Sequence, residues 1–463
     1  MTDRAPRTPD EPSGSRALTG WRAFLALWSG QTVSAIGSGL FAFAVGLWVY
    51  QRTHSATLFG LIMVFDLLPG LLLAPYVGVL VDRWDRRTAM IAGNAGAGLS
   101  SLAVLLLVHS HAPALWPLYP ALVLGSLSGM VQGTAYDAAL TPLIEDRYRG
   151  RANGLVQVGQ AIAEVLSPLL AGVLMLTIKV SEIVLVDLFS FLFAIVTLLP
   201  LRIPPVPAEE DEEDEEQGAA APGRERAYAY GWRFIRQRPA LLGLLLMFAA
   251  LNFAVGLAAV AVTPWVLSFA GPGSLGAVLA AGGAGMLLGG LLMTAWGGTR
   301  RRVNGLLRGL LVAGGCIALQ GVHPTAALVG AGLFGFYLCL PVVNASSAAI
   351  WQSRVPAGAQ GRVFAVRRMV AQITAPLAYF TAGPLIDLLF RHLLTPGSAA
   401  ARLFPFLGTG SGRGIGVLFL LMGAAVLVIA LLGLASPALR AVEQPQTPDT
   451  PDESPAPVPA EAT

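Results

Sequence analysis

The chain is poor in almost everything on which water-soluble proteins are built. Charged residues make up 12% of its 463 residues, about half the usual quarter. Its single lysine is Lys179, and every other basic residue except the histidines is arginine. The two cysteines, Cys316 and Cys339, both sit inside apolar runs. They read as small buried hydrophobes, which excludes a disulfide framework. Met1 to Gly20 has neither the apolar run nor the small-residue cleavage site of a secretory signal, so the first helix is expected to be retained. The glycine-rich stretch Gly282-Gly283-Ala284-Gly285 to Gly289-Gly290 lacks the Lys-Ser/Thr of a phosphate loop, so no nucleotide site is expected. No metal cluster or nucleophile arrangement is visible in the sequence. An enzyme, a metal and a cofactor are therefore not expected, and nor is a nucleic-acid partner.

Apolar residues are what the chain has in excess. Hydrophobic side chains are 55% of it, and the 53 glycines raise the apolar share to about two-thirds, against about 45–50% for a soluble domain on the same count. A water-exposed surface cannot absorb that much apolar side chain, so the solvent must include lipid. Twelve apolar stretches recur, the first near 22–49 and the last near 415–435, each long enough for about 30 Å of hydrocarbon. The alternation of a membrane barrel is absent, and helices satisfy their own backbone groups. The expected fold is an all-α membrane protein with 12 transmembrane helices.

Arginine placement sets the topology. With the N-terminus inside, 25 of the 30 basic residues fall in inside segments and five, Arg52, Lys179, Arg391, Arg402 and Arg413, fall outside. The positive-inside rule then predicts a multi-pass protein of the plasma (inner) membrane with both termini cytoplasmic. Residues 1–20 and 437–463 read as disordered tails, and 201–237 as a cytoplasmic linker carrying the acidic run Glu209 to Glu216. Between them lie two six-helix halves, 21–200 and 238–436.

The halves look related. Gly150-Arg151 precedes Gly172 as Gly361-Arg362 precedes Gly383, and Gly60…Gly93 lines up with Gly276…Gly309. A parallel six-helix repeat is the pattern of one large transporter class.

Particular motifs carry a family resemblance. Gly78 to Arg87, Gly-Val-Leu-Val-Asp-Arg-Trp-Asp-Arg-Arg, resembles the G-x-x-x-D-R-x-G-R-R signature of the major facilitator superfamily, with Asp85 where glycine is usual. Leu27-Trp28-Ser29-Gly30-Gln31 and Trp48-Val49-Tyr50-Gln51 are similar to the drug-efflux branch that includes macrolide and siderophore exporters. So are Gly361 to Arg368 and Ala382-Gly383-Pro384-Leu385. The resemblance covers about 20–436 and implies a gating motif of Gly78, Asp82, Arg83, Arg86 and Arg87. In relatives this Asp faces the N-terminus of helix 11, where a carboxylate gains roughly 0.3–1 kcal/mol. Asp82 is thus expected to latch the halves on the cytoplasmic side, with Arg147 or Arg151 as further partners. The segment Ser167-Pro168-Leu169-Leu170-Ala171-Gly172 resembles a weakened antiporter signature of helix 5, at Ser167, Pro168 and Gly172. Close helix packing is the plainer reading of these small residues.

Ionisable groups at membrane depth are functional candidates by default. Asp66 and Glu164 are expected roughly 14 Å and 17 Å into helices 2 and 5, and are the proton-coupling candidates. Asp187 and Asp387 are placed nearer outer helix ends, and Asp137 is placed to pair with Arg147 or Arg151. Gln31, Gln160, Asn252, Asn344 and Gln372 are cavity candidates. Trp28, Trp48, Phe248, Phe253 and Trp265 are possible apolar contacts, and His109, His111 and His323 read as solvated. Together these imply a monomeric exporter of a hydrophobic or amphipathic small molecule, with the proton gradient as energy source. An importer or facilitator of the same fold is one alternative. A non-transporting receptor or scaffold is the other.

Overall fold

The computed structural model describes residues 20–110, 115–201, 203, 222–299, 301–396, 402, 409–410 and 412–436. The two expected tails, the acidic run and His111 lie outside the described residues. The first six helices are α1 (Gly20–Thr53), α2 (Ala56–Arg83), α3 (Arg86–His109), α4 (Leu118–Leu143), α5 (Arg149–Leu174) and α6 (Val180–Leu198). After the linker come α7 (Pro222–Arg236), α8 (Pro239–Leu267), α9 (Pro272–Trp296), α10 (Arg302–Val322), α11 (Ala326–Arg354) and α12 (Ala357–Pro384). A π-helical turn, Leu385–Phe390, and α13 (Arg391–Leu393) extend α12, and α14 (Arg413–Ala435) follows.

Eleven described helices are long and apolar enough to cross a membrane. The 26-residue α4 is not among them, because Ser126, Ser128, Gln132 and Asp137 lower its hydropathy. It is nonetheless as long as its neighbours and packs on α2 and α3, so it fits as the twelfth. The helix α7 is amphipathic and is not a span.

The packing shows the repeat. In the first half α1 packs on α5 and α6, α3 on α4 and α6, and α2 on α4. In the second half α8 packs on α12 and α14, α10 on α11 and α14, and α9 on α11. Each pair in one half has its counterpart in the other. The halves meet through α2 with α12 and through α5 with α9, which are again counterparts. One end of the bundle gathers the start of α1, the α2–α3 and α4–α5 turns and α7, and is rich in arginine. The other gathers the α1–α2 turn and α13, and is poor in it.

Local chemistry ends and starts the helices where the sequence requires. Pro239 and Pro272 open α8 and α9 at their first turns, where a missing N–H costs nothing. Gly297 closes α9 in the left-handed conformation at φ 75°, which favours glycine. Asp85 caps α3, accepting from the Thr88 N–H at 3.0 Å and from its hydroxyl at 2.9 Å. That gives its replacement of the usual glycine a physical reason.

The linker departs from expectation. Residues 222–236, within the span read as linker, form α7, which packs on α12 and α8. Ile235 is fully buried and Phe234 nearly so. Arg362 lies 4.0 Å over the Tyr230 ring, and Arg238 lies 3.6 Å over Phe234. The acidic run masked this amphipathic stretch in composition, although Tyr228, Tyr230, Trp232 and Phe234 recur at every second residue, with Arg233 and Arg236 beside the last of them.

Candidate functional site

Two seams close the arginine-poor end. At the first, Gly60 of α2 lies against the Tyr379 carbonyl of α12, and Gly383 lies against the backbone of Thr57. A Cβ at Gly60 would come within 2.7 Å of that carbonyl. At the second, Gly276 of α9 lies against the Pro168 carbonyl of α5, and a Cβ on Gly172 would stand 2.8 Å from the Gly276 Cα. Tyr379 precedes Gly383 by four residues, as Pro168 precedes Gly172. The two seams are thus built from the same repeated parts. Small residues let backbones approach this closely.

Asp387 fastens the first seam. The π-helical turn after Pro384 aims its carboxylate at the first turn of α2. Its oxygens accept from the Ser55 hydroxyl at 2.8 Å, the Ala56 N–H at 3.0 Å, the Thr57 N–H at 2.9 Å and the Thr57 hydroxyl at 2.8 Å. Arg391 donates to the His54 carbonyl at 2.6 Å. A carboxylate on free N–H groups at a helix N-terminus satisfies donors the helix itself cannot. Asp387 thus lies near the helix end where the sequence places it, and there it joins the two halves.

Between these seams and the arginine-rich end lies a cavity of about 910 Å³. At its arginine-rich end the lining reaches Asp137, which is exposed. Its wall is mostly apolar, including Phe41, Phe43, Phe59, Met63 and Phe191. Three carboxylates, Asp66, Asp137 and Asp187, interrupt it, and no lysine, arginine or histidine is among its described lining residues. Nearly all of the lining comes from the first half, with Leu279 and Tyr379 from the second.

The candidates distribute unevenly around this space. Asp66 lines it and is exposed to it. Gln31 and Gln160 line it too, and the Gln132 amide donates to Gln31 Oε1. Trp28 lines it while its indole donates to the Leu155 carbonyl at 2.7 Å. Glu164 is not among the lining residues. It sits where α5 crosses α9, its backbone against Gly283, and interacts electrostatically with Tyr337.

Asn252, Asn344 and Gln372 are not among the lining residues either, because the described cavity is set into the first half. Trp265 is core, fully buried with its indole donating to the Gln320 carbonyl at 2.9 Å. Trp48 holds Arg52 over its ring. Asp137 does not take the arginine partner expected for it: Arg147 pairs with Glu145 at 2.7 Å, and Arg147 and Arg151 both lie over Tyr148. Asp187 lies nearer the start of α6, as expected, seven residues into its 19 and about 10 Å along it. It is also 1% exposed, a burial against α1 and α3 that depth along one helix does not reveal.

The signature loop divides by residue. Arg87 caps the end of α6, donating to the Leu198 and Leu199 carbonyls at 3.0 and 2.6 Å. Arg83 is exposed, and Arg86 is half-buried. A Cβ on Gly78 would meet nothing within 4 Å. Asp82 lies in the last turn of α2, and its side chain lies outside the described residues. In the helix 5 segment, Ser167 is buried and donates to the Ile36 carbonyl at 3.1 Å, while Pro168 lines the cavity. With Gly172 in a seam, all three residues have packing roles.

Residues 27–379 match the Major Facilitator Superfamily. The chain is 25% identical over 377 residues to macrolide efflux protein A of Streptococcus pyogenes, spanning 79% of this chain and 89% of that one. It is 26% identical over 237 residues to the enterobactin exporter of Shigella flexneri, across 49% of this chain and 53% of that one. Its fold superposes at a TM-score of 0.64 on a bacterial homologue of the iron transporter ferroportin, 14% identical, over 89% of this chain and 98% of that one. It matches a bacterial homologue of the lysosomal transporter Spinster at the same TM-score, 16% identical, over 92% and 98%. The twofold helical repeat, the paired glycine seams and the match across most of the chain lead to one conclusion: this multi-pass membrane protein belongs to the Major Facilitator Superfamily of transporters.

Proposed function

We propose that the chain is a proton-coupled exporter of a hydrophobic or amphipathic small molecule, working by alternating access in the plasma (inner) membrane. The observation that carries this reading is the cavity. Its volume of about 910 Å³ falls in the usual range of about 300–1,000 Å³ for drug-sized ligands. Its wall is apolar, and its charge is carboxylate alone. The arginine bias assigns its Asp137 end to the cytoplasm, so this conformation loads from inside.

Names of relatives support the outward direction. The macrolide efflux and enterobactin exporter proteins carry export in their names. A drug, an antibiotic, a siderophore or an endogenous natural product is the expected cargo. With no nucleotide site in the sequence, the proton-motive force is the expected energy source. One charge moved across 100 mV yields about 2.3 kcal/mol. The acids at depth, Asp66 and Glu164, are the first candidates to carry protons, and Gln31 and Gln160 to contact cargo. Asp82, with Arg83, Arg86 and Arg87 around it, is proposed to latch the cytoplasmic side when the outer seams open.

The test uses inverted membrane vesicles and a panel of labelled antibiotics and siderophores. Gradient-driven uptake of at least one compound is expected, collapsing with a protonophore and weakened in Asp66→Asn and Glu164→Gln. Uptake that survives the protonophore in wild type and in both variants rejects antiport through these acids. A facilitator would equilibrate the compound without accumulating it.

A further inference from the structure

The proposed mechanism leaves one buried acid unassigned. Asp187 is the only carboxylic acid among the buried residues of the described chain. It stands where three helices meet behind the cavity wall. The Ser101 hydroxyl of α3 donates to Oδ2 at 2.6 Å, and the Ser38 hydroxyl of α1 reaches Oδ1 at 3.4 Å. Ser190, one turn on in α6, lies alongside with its hydroxyl on the Asp187 carbonyl at 2.7 Å. Gly37 lets α1 come this near: a Cβ there would stand 3.1 Å from Oδ1 and collide with the Ser190 hydroxyl.

No cation among the described residues balances this carboxylate. The helix α6 packs on α1 and α3. The ionisable residues of α1 are Arg22, Tyr50 and Arg52, all near its ends. Those of α3 are Arg86, Arg87 and His109, again at its ends. The other one on α6 is Glu182, in its first turn. None of these is a hydrogen-bond or ion-pair partner of Asp187 in the described structure. Asp66 and Asp137, which share the cavity, carry the same sign. A buried, unpaired carboxylate is costly as an anion. Its partners are hydroxyls, which can donate to the anion or accept from the neutral acid. Such a nest serves both protonation states without rearranging.

We propose that Asp187, held by Ser38, Ser101 and Ser190, is a further proton-binding residue, beside Asp66 and Glu164, that couples export to the gradient. The proposal rests on the proton-coupled reading above. With the outer seams parted, a hydronium ion in outside water breaks one O–H bond and passes its proton to Oδ, where a new O–H bond forms and a water molecule is left. With the cavity open to the cytoplasm, that bond breaks and the proton passes to cavity water, leaving the carboxylate. Ser38 connects the site to cargo, because α1 also presents Gln31 and Phe41 to the cavity. A cargo that displaces α1 changes the hydroxyl nest and the hydration of the acid together.

The experiment uses the full chain in proteoliposomes. Infrared difference spectra are recorded as pH is raised from about 5 to about 9, a range that brackets titration of buried carboxyls. Wild type is expected to lose a protonated-carboxyl C=O band that is missing in Asp187→Asn and displaced in frequency in Asp187→Glu. Spectra in which the wild-type band persists unchanged in both variants overturn the proposal. In parallel, radiolabelled erythromycin is the transport probe. Asp187→Asn should lose gradient-driven accumulation and keep gradient-independent exchange; accumulation at the wild-type level overturns the proposal. Wild type that moves no erythromycin under a gradient counts against the export reading, while the infrared result still decides Asp187. Should Asp187→Asn fail to fold, Asp187→Glu carries both measurements. Its band must move and the pH profile of its transport must shift, and failure of either overturns the proposal.

Discussion

Asp387 caps the helix that starts 331 residues before it: its two oxygens accept from the backbone N–H groups of Ala56 and Thr57 at 3.0 and 2.9 Å. That contact ties the second half to the first at the arginine-poor end. Removing it should favour the state in which this seam is parted. A helix-capping carboxylate is worth about 1–2 kcal/mol, a factor of roughly 5–30 in a two-state equilibrium. Asp387→Ala should lengthen the distance between nitroxide labels at Gln51 and His392, measured by pulsed electron resonance. An unchanged distance distribution would show that the glycine contacts hold the seam alone.

The second seam admits a wedge. Gly276 packs against the Pro168 carbonyl, where a Cβ would come within 2.5 Å. Gly276→Leu places a branched chain at that point, and overpacking of this kind costs about 1–3 kcal/mol. Labels at Thr177 and Gly271 should move apart, and transport should drop while the amount of protein in the membrane stays level. Gly290→Leu on the same helix is the matched control, since a Cβ there meets nothing within 4 Å. Equal effects from the two substitutions would sink the wedge account.

Two residues of one loop should fail differently. Arg87 holds the last carbonyls of α6, and hydrogen bonds from a charged donor contribute about 1.5–3 kcal/mol. Arg87→Ala should lower the melting temperature in detergent. Asp82→Asn should leave that temperature in place and reduce transport at normal insertion. Full transport by Asp82→Asn would remove the cytoplasmic latch from the mechanism.

The linker helix should stabilise the second half. Tyr230 lies under the Arg362 guanidinium at 4.0 Å, a contact worth about 0.5–2 kcal/mol, and Gly231 abuts the Arg362 carbonyl. Tyr230→Ala should lower thermal stability more than Tyr76→Ala, whose side chain is 74% exposed. Equal melting temperatures would mean that α7 rests on α12 without supporting it.

The sequence announced the repeat because glycine spacing survives duplication: Gly60 and Gly276, Gly172 and Gly383 turned out to be the seam residues themselves. It announced the membrane through composition and the spans through length. It placed Asp187 along α6 but did not show its burial, because packing against α1 and α3 is not written in depth along a single helix. It undervalued Asp387 because the cap it forms is with a residue more than 300 positions away, and no local pattern encodes that. Composition hid α7, since an amphipathic helix beside an acidic run averages to a linker. Cavity membership was legible for Gln31 and Gln160. It was not legible for Asn252, Asn344 and Gln372, because one-dimensional polarity does not say which half holds the hollow.

Symmetric at its seams, the molecule is lopsided in its chamber. The hinge is one device made twice, and a change in either copy upsets the fit of both. The chamber walls come almost wholly from the first half. Cargo preference can therefore drift by substitution in one half of the chain, while the stroke that moves the cargo stays under the constraint of two matched copies.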